Sequence, residues 1–220
     1  MSVTRVTAII PAYNEEVTLG RVISTLKESS LFDEILVVSD GSTDQTVEVA
    51  TQAGIRVIAQ KKNCGKGETM IVGVENTSAQ IIVFFDADLL GLTVRHIEQL
   101  VLPVLKGEKA MNVGMRDRGW FWTRFAQHLP LISGERALRR EIFEGVPPKM
   151  MKGFMVESAL NYYCRTRKLV YGSVILHGLS IRRKYQKVGW VKGMIGYLKM
   201  TSQIIKSIFL VRFARLFGLF

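Results

Sequence analysis

Short apolar runs alternate with longer segments of helical spacing along the first half of the chain. Five runs are rich in β-branched residues and bounded by turn residues, which predicts strands at 5–10, 34–39, 56–59, 81–85 and 110–115. Between them apolar residues recur every three or four positions, which predicts helices at 15–30, 43–54, 65–78 and 93–107. Continuous apolar strands that alternate with helices indicate an α/β fold, a Rossmann-like and mostly parallel sheet with helices on both faces.

Residues at the ends of the predicted helices support this assignment. Ser42 followed by Gln45 predicts a capping box, Thr93 predicts an N-cap, and Gly54 predicts a C-terminal cap. The three positions lie at the ends of the segments with helical periodicity, so the capping residues and the hydrophobic pattern predict the same helix boundaries.

Charge is distributed unevenly over the 220 residues, whose formal net charge is +11. Residues 1–157 are close to neutral, whereas residues 158–220 hold 12 Lys and Arg and no acidic residue. Within that region, 190–220 combines basic and apolar residues at helical spacing and predicts a basic amphipathic helical tail after a domain at 1–189. The tail fits either an interfacial helix beside anionic lipid or a core helix with a basic outer face.

The number and spacing of the cysteines and the hydropathy of the chain indicate the cellular compartment of the protein. Cys64 and Cys164 lie far apart without CxxC spacing, which predicts neither a disulfide framework nor a zinc site. The first apolar run is too short for a secretory signal, and no apolar stretch reaches the ~18 residues of a membrane span. We expect a cytoplasmic protein with an anionic partner, either free or peripheral on the inner face of the membrane.

Two carboxylates end the most apolar strand, in the sequence "IIVFFDADLLGL" (81–92). Ligands of open α/β sheets bind beyond the carboxyl ends of the strands, where Asp86 and Asp88 are predicted to lie. Neighbouring carboxylates repel each other unless a cation or water reaches them. Hard oxygen ligands favour Mg²⁺ or Mn²⁺, which could in turn hold a diphosphate. The alternative is an ordinary exposed turn at a strand end.

Three further polar motifs follow the other predicted strands: "PAYNEE" (11–16), "VVSDGSTDQT" (37–46) and "NCGKGETM" (63–70). With the Asp86-Ala87-Asp88 motif, they resemble in order and spacing the nucleotide-sugar domain of family 2 type GT-A glycosyltransferases, over roughly residues 5–140. The resemblance implies a GT-A fold, with a nucleotide-sugar part at about 5–115 and an acceptor part at about 116–189.

The resemblance also implies a UDP-sugar or GDP-sugar donor and Mg²⁺ or Mn²⁺. Asp86 and Asp88 would coordinate the metal, and Asp88 is expected to be catalytic. Asp40 could accept the imide N–H of uracil. The implied donor-binding residues are Pro11, Ala12, Tyr13, Asn14, Glu15, Asp40, Lys66, Asp86 and Ala87.

The second half departs from the inverting members of the family, because it lacks their late acidic "ED" pair. In its place "LISGERALRR" (131–140) is similar to the "SGE" stretch of the retaining glucosyl-3-phosphoglycerate synthases, with Glu135 as a candidate base or acceptor-binding residue. The stereochemical outcome stays open between the two types. His177 would complete the metal shell by the same resemblance, although a lone histidine is as readily structural. His96 is predicted on a helix surface.

Arginines and aromatic residues in "MRDRGWFWTRF" (115–125) predict acceptor contacts, because a guanidinium binds phosphate through a planar fork. Arg116, Arg118 and Arg136 are the candidate acceptor-binding residues. We expect a polyprenyl phosphate acceptor at the membrane surface, with a soluble phosphorylated acid as the alternative. A non-catalytic nucleotide-sugar or membrane-binding module is a third reading. No nucleic-acid partner is expected, and a homodimer is left open.

Overall fold

The computed structural model of the protein describes residues 4–116, 133–151 and 155–182. In these ranges the elements follow in the order β1 (Val6–Ala12), α1 (Leu19–Glu28), β2 (Glu34–Ser39), α2 (Thr46–Gln52), β3 (Arg56–Ala59), α3 (Lys66–Glu75), β4 (Ile81–Phe84), β5 (Leu89–Leu90), α4 (Val94–Leu105), β6 (Met111–Arg116), β7 (Arg136–Arg139), α5 (Arg140–Glu144), α6 (Met155–Thr166), β8 (Tyr171–Leu176) and β9 (Ser180–Ile181), with a 3₁₀ turn at Pro148–Met150.

Seven strands form one sheet in the order β3-β2-β1-β4-β7-β6-β8. All neighbouring pairs are parallel except the two that involve β7, which runs antiparallel to β4 and to β6. The inner strand β1 sets Ile9 beside Leu36 of β2 and Phe84 of β4. The prediction of a mostly parallel α/β sheet is confirmed, and β7 and β8 are the two strands of this sheet that the sequence analysis did not predict.

Helices cover both faces of the sheet, as predicted. Alternate residues of β1 enter opposite cores: Ala8 and Ile10 pack with α1, α2 and α4, whereas Ile9 packs with α3, α5 and α6. In α1 the buried positions recur at intervals of three and four, as an amphipathic helix against a sheet requires: Leu19, Val22, Ile23 and Leu26. Burial on both faces explains why the central strands are apolar throughout.

Two of the four local predictions are wrong and two are confirmed. Gly54, directly after the C-cap Ala53 of α2, adopts the left-handed conformation at φ 67° that favours glycine at a helix C-terminus. Thr93 caps α4 by accepting the N–H of His96, as expected. The capping box at Ser42 is absent: Gln45 is the N-cap of α2, and the hydroxyl of Ser42 accepts the N–H of Asn14 instead. His96 is buried rather than on the helix surface, because its Nε2–H donates to the carbonyl of His177, 3.0 Å away.

A second, two-stranded sheet joins the Asp86-Ala87-Asp88 motif to the end of the described chain. β5 pairs antiparallel with β9, and the N–H of Arg182 donates to the carbonyl of Asp88 at 3.0 Å. The segment after β4 is therefore held by residues almost one hundred positions later.

Several predictions fall outside the described residues. They concern the helical tail at 190–220, the domain border at 189, the position of Arg118 and the aromatic cluster around it. Among the residues that the structure describes, no helix combines the length and apolar character needed to cross a membrane.

Candidate functional site

The polar motifs converge at one edge of the main sheet. β1, β2, β4 and β6 are mutually aligned so that their carboxyl ends lie at this edge, and antiparallel β7 begins there, with Arg136 opposite Phe84 and Val113. Residues 13–16, Asp40 and Asp86 thus follow strands at the same edge, as the sequence predicts, and Arg116 is the last residue of β6 there. Glu135 arrives at it from the amino end of β7.

Hydrogen bonds join the loops after β1 and β2. Asn14 adopts a left-handed conformation with φ 55°, which asparagine tolerates better than most residues. Its side-chain oxygen accepts the N–H of Thr43 at 2.8 Å, and its own N–H donates to Ser42 at 3.2 Å. Glu16 accepts the N–H of Gln45 at 2.9 Å. The two loops form one ledge, from which Tyr13 projects with 46% of its surface exposed.

Asp40 ties that ledge to the loop before α3. Its carboxylate is almost completely buried, and its two oxygens accept the N–H groups of Cys64 at 2.7 Å and Gly65 at 2.9 Å. Gly41 follows in the left-handed region at φ 68°, where a Cβ would collide with the main chain of Lys62. The structure therefore assigns Asp40 a structural role, and its contact with a nucleotide base stays a prediction.

A lysine joins two carboxylates at the centre of the edge. The ammonium of Lys66, the first residue of α3, lies 2.7 Å from Oδ1 of Asp86 and 3.2 Å from Oε1 of Glu157. Burial alone would lower the pKa of Lys66, but the two carboxylates outweigh it and raise that pKa above its ordinary value. Lys66 is therefore held charged, and its predicted contact with a diphosphate stays a prediction.

Glu135 and Arg116 add two charged groups to the site: Glu135 is fully buried near Asp86, and Arg116 is half-buried near Glu135. Ser133 donates its hydroxyl to Oε2 of Glu135, while Oε1 of Glu135 and Nη1 of Arg116 are buried without a hydrogen-bond partner among the described residues. Burial raises the pKa of the Glu135 carboxyl, and the nearby Asp86 raises it further, whereas Arg116 opposes the shift. Oε1 of Glu135 and Nη1 of Arg116 can therefore each form a hydrogen bond with another group.

Arg136 is not exposed at this edge of the sheet. It is fully buried, and its guanidinium donates to the carbonyl of Ser133 at 2.7 Å and of Glu157 at 3.5 Å. The predicted contact with an acceptor is therefore not supported, because the donors of Arg136 are used by the main chain beneath the site.

The predicted metal ligands are only partly brought together. Asp86 and Asp88 are half-buried on either side of the buried Ala87, whereas His177 lies exposed in the turn after β8. Among the described residues, no group of three or more His, Cys, Asp or Glu side chains could hold a metal ion. Two carboxylates nevertheless fit Mg²⁺ or Mn²⁺, which commonly take their other ligands from phosphate and water. Ligation by His177 stays a prediction.

Sequence reasoning missed Glu157 and Gly134. Glu157 is the last acidic residue before the acid-free region, a signal that was available but pointed to no particular site. Gly134 lies against Asp86 so closely that a Cβ would collide with both carboxylate oxygens. No sequence pattern indicates that contact, because 48 positions separate the two residues along the chain.

Known proteins with similar sequences were compared with this chain. Glucosyl-3-phosphoglycerate synthase of Mycolicibacterium paratuberculosis is 33% identical over 184 residues, which cover 75% of this chain and 54% of the relative. The Mycobacterium tuberculosis synthase is 35% identical over 112 residues, 47% of this chain and 35% of the relative. A 4,4'-diaponeurosporenoate glycosyltransferase of Staphylococcus aureus is 34% identical over 111 residues, 48% of this chain and 30% of the relative. The matches thus span between 30% and 54% of these relatives' lengths.

Solved structures that resemble this chain include the same kind of synthase. The Mycobacterium tuberculosis glucosyl-3-phosphoglycerate synthase in complex with Mn²⁺, uridine diphosphate and phosphoglyceric acid matches with a TM-score of 0.77 and 27% identity, over 94% of this chain and 78% of that chain. Its complex with Mg²⁺ and uridine diphosphate matches equally well, over 79% of that chain. The GT-A fold is confirmed. Because the model of glycosyl transferase family 2 matches residues 7–159, the chain belongs to that family.

Proposed function

We propose that this protein transfers a sugar from a UDP-sugar to a small phosphorylated acid with the help of Mg²⁺ or Mn²⁺. The observation that carries the proposal is the cluster of Lys66, Asp86 and Glu157 at the carboxyl edge of the sheet. It combines a charged lysine with carboxylates where the family binds its donor. The similar synthase structures hold UDP-glucose, Mn²⁺ and phosphoglyceric acid, which supports the choice of donor, ion and acceptor.

The ledge formed by residues 11–16 and 39–44 would receive the nucleoside. Its hydrogen bonds are internal, so the ledge is organised before a ligand arrives, which reduces the ordering cost of binding. Each carboxylate oxygen has two lone pairs, so Asp40 could accept a base N–H in addition to the loop N–H groups it holds. The exposed ring of Tyr13 would lie beside the nucleoside.

The diphosphate would lie between α3 and the Asp86-Ala87-Asp88 motif. The first N–H groups of α3 have no acceptor within the helix, and Lys66 adds a full positive charge at the same end. Asp86 and Asp88 would hold the divalent ion, which when bound neutralises charge on the departing nucleoside diphosphate. Positive charge is thereby concentrated where the leaving group becomes more negative.

Arg116 would bind the acceptor. It ends β6 beside Glu135, and one of its guanidinium nitrogens has no hydrogen-bond partner among the described residues. A phosphate or carboxylate would supply that partner. Arg118 is proposed to assist, and Glu135, whose pKa is raised by burial, is proposed to orient Arg116 or take up the acceptor hydroxyl proton.

A second candidate acceptor is a polyprenyl phosphate at a membrane surface. It is favoured by the acid-free region 158–220, whose basic and apolar residues suit anionic lipid. Both acceptors carry a phosphate that Arg116 could bind. They differ in the rest of the molecule, which Arg116 would not contact.

The test measures transfer by the purified protein from UDP-glucose to 3-phosphoglycerate, in parallel with polyprenyl phosphate in vesicles, by mass spectrometry of the products. We expect a glucosylated phosphorylated acid, formed only with Mg²⁺ or Mn²⁺ and lost in EDTA. Product in the vesicle reaction alone would favour the lipid acceptor. Nucleotide binding with no transfer to either acceptor would indicate a binding module, and failure to bind UDP or UDP-glucose would contradict the proposal.

A further inference from the structure

The carboxylate of Asp86 is already paired with a cationic side chain. Lys66 places its ammonium 2.7 Å from Oδ1 of Asp86, and both side chains are about three-quarters buried, at 22% and 24% exposure. At that depth the pair is shielded from solvent far more than a surface salt bridge is. A divalent ion on the same carboxylate would stand next to the lysine charge and be repelled by it.

The carboxylate of Asp86 has little room to move away from the ammonium of Lys66. The main chain of Gly134 also lies against this carboxylate, so closely that even a Cβ there would collide with both of its oxygens. The movable partner is therefore Lys66, whose side chain is long and flexible. Metal binding and the present position of Lys66 oppose each other.

Lys66 has a second anchor that keeps it at the site. Glu157 lies 3.2 Å from the ammonium and is 5% exposed, and its carbonyl accepts a hydrogen bond from the buried Arg136. A lysine that leaves Asp86 would stay beside Glu157, within reach of an incoming phosphate. The chain thus holds the ammonium between two acids that share it.

We propose that Lys66 is an internal counter-ion which keeps the divalent ion off Asp86 until a nucleoside diphosphate draws the ammonium away. Metal and nucleotide then bind together, and metal alone binds weakly. This inference rests on the proposed function, because it assumes that Asp86 holds the ion and that the donor carries a diphosphate. Lys66 is in this respect a positioning residue for the metal site.

The experiment measures Mn²⁺ affinity by electron paramagnetic resonance, with and without UDP, for the wild type and for Lys66→Gln. Glutamine still donates a hydrogen bond to Asp86 but carries no charge. We expect Lys66→Gln to bind Mn²⁺ without nucleotide about tenfold or more tightly than the wild type, because a nearby positive charge is gone. The factor by which UDP tightens Mn²⁺ binding should fall by a similar amount.

Two further variants separate contact with Asp86 from a general change of charge. Lys62→Gln removes an exposed lysine from the same loop, and solvent screening should keep its effect below about threefold. Glu157→Gln leaves the ammonium to Asp86 alone, so Mn²⁺ without nucleotide should bind no more tightly than in the wild type. Lys66→Met is the replacement if Lys66→Gln does not fold, with the same expected direction.

The outcomes distinguish this inference from the proposed function. Unchanged Mn²⁺ affinity in Lys66→Gln or Lys66→Met, or an equal gain in Lys62→Gln, would overturn the counter-ion but would not count against UDP binding and transfer by the wild type. A wild type that binds Mn²⁺ as tightly alone as with UDP would also overturn it. A protein that binds no UDP under any condition would instead overturn the proposed function on which it rests.

Discussion

The two halves of the candidate site use their acidic and amide side chains differently. In the nucleoside half, Asn14, Glu16 and Asp40 accept main-chain N–H groups, and the loops they join come from the first 65 residues. In the transfer half, Asp86 and Glu157 share the ammonium of Lys66 across 20 and 91 positions of the chain.

This difference separates a scaffold from the proposed reactive centre. A carboxylate that accepts two N–H groups is satisfied and fixes the shape of a loop. Carboxylates that share one lysine, beside the unpartnered atoms of Glu135 and Arg116, leave charge available to a ligand. We expect substitutions in the nucleoside half to change affinity, and substitutions in the transfer half to change turnover and metal dependence.

The largest effect is expected from Asp86→Asn in the transfer half. Loss of the charge would weaken the divalent ion and leave Lys66 with one carboxylate, so transfer should fall roughly 100- to 1,000-fold, as for loss of a group that stabilises transition-state charge. The melting temperature should also fall, because the largely buried ammonium of Lys66 loses one of its two carboxylate partners. Steady-state kinetics and thermal unfolding would measure both, with the exposed Glu108→Gln as control. Wild-type turnover by Asp86→Asn would remove this residue from the metal site.

Gly134→Ala tests whether packing behind Asp86 matters as much as its charge. A methyl group at this position would collide with the Asp86 carboxylate, so we expect transfer to fall about 10- to 100-fold, the range for residues that position metal ligands. The matched control is Gly20→Ala in α1, where a Cβ would meet Val49 at an ordinary 3.5 Å. It should leave kinetics unchanged and raise the melting temperature slightly. Equal kinetics in the two variants would show that Asp86 can move freely.

Asp40→Asn should weaken nucleotide binding without abolishing turnover. This result would distinguish the nucleoside half from the transfer half, where we expect turnover to change. The amide can accept through only one of its two former oxygen positions, so the N–H of Cys64 or Gly65 loses its partner. The expected loss is about 1–3 kcal/mol in UDP affinity by calorimetry. An unchanged affinity would mean that the loop before α3 does not contribute to nucleotide binding.

The smallest effect is expected in the pH dependence of stability. Burial raises the pKa of Glu135 in the folded state, so its contribution to stability is greatest below its unfolded pKa and is lost as pH rises through the folded value. Glu135→Gln removes that loss, so the variant should gain stability over the wild type by a few degrees in melting temperature near pH 8, and less near pH 4. Thermal unfolding across this range would measure it, and a gain that is larger at pH 4 would contradict the raised pKa.

Sequence alone determined the donor half of the fold, because its elements obey local rules. Each of the first strands is a continuous apolar run and each helix an amphipathic segment, so their order and the parallel sheet followed from periodicity. The polar motifs after the strands indicated the site edge for the same reason, since carboxyl ends of parallel strands meet there.

Tertiary structure alone decided which charges meet. The antiparallel strand β7 brings Gly134 and Glu135 beside Asp86, and α6 brings Glu157 to Lys66, although no local pattern marks these contacts. The same holds for Arg136, a predicted acceptor-binding residue that the fold buries, with its guanidinium donating to a main-chain carbonyl. Hydrophobic periodicity records which face of an element is buried, but the pairing of buried charges depends on distances between elements, and only the packed chain sets those distances.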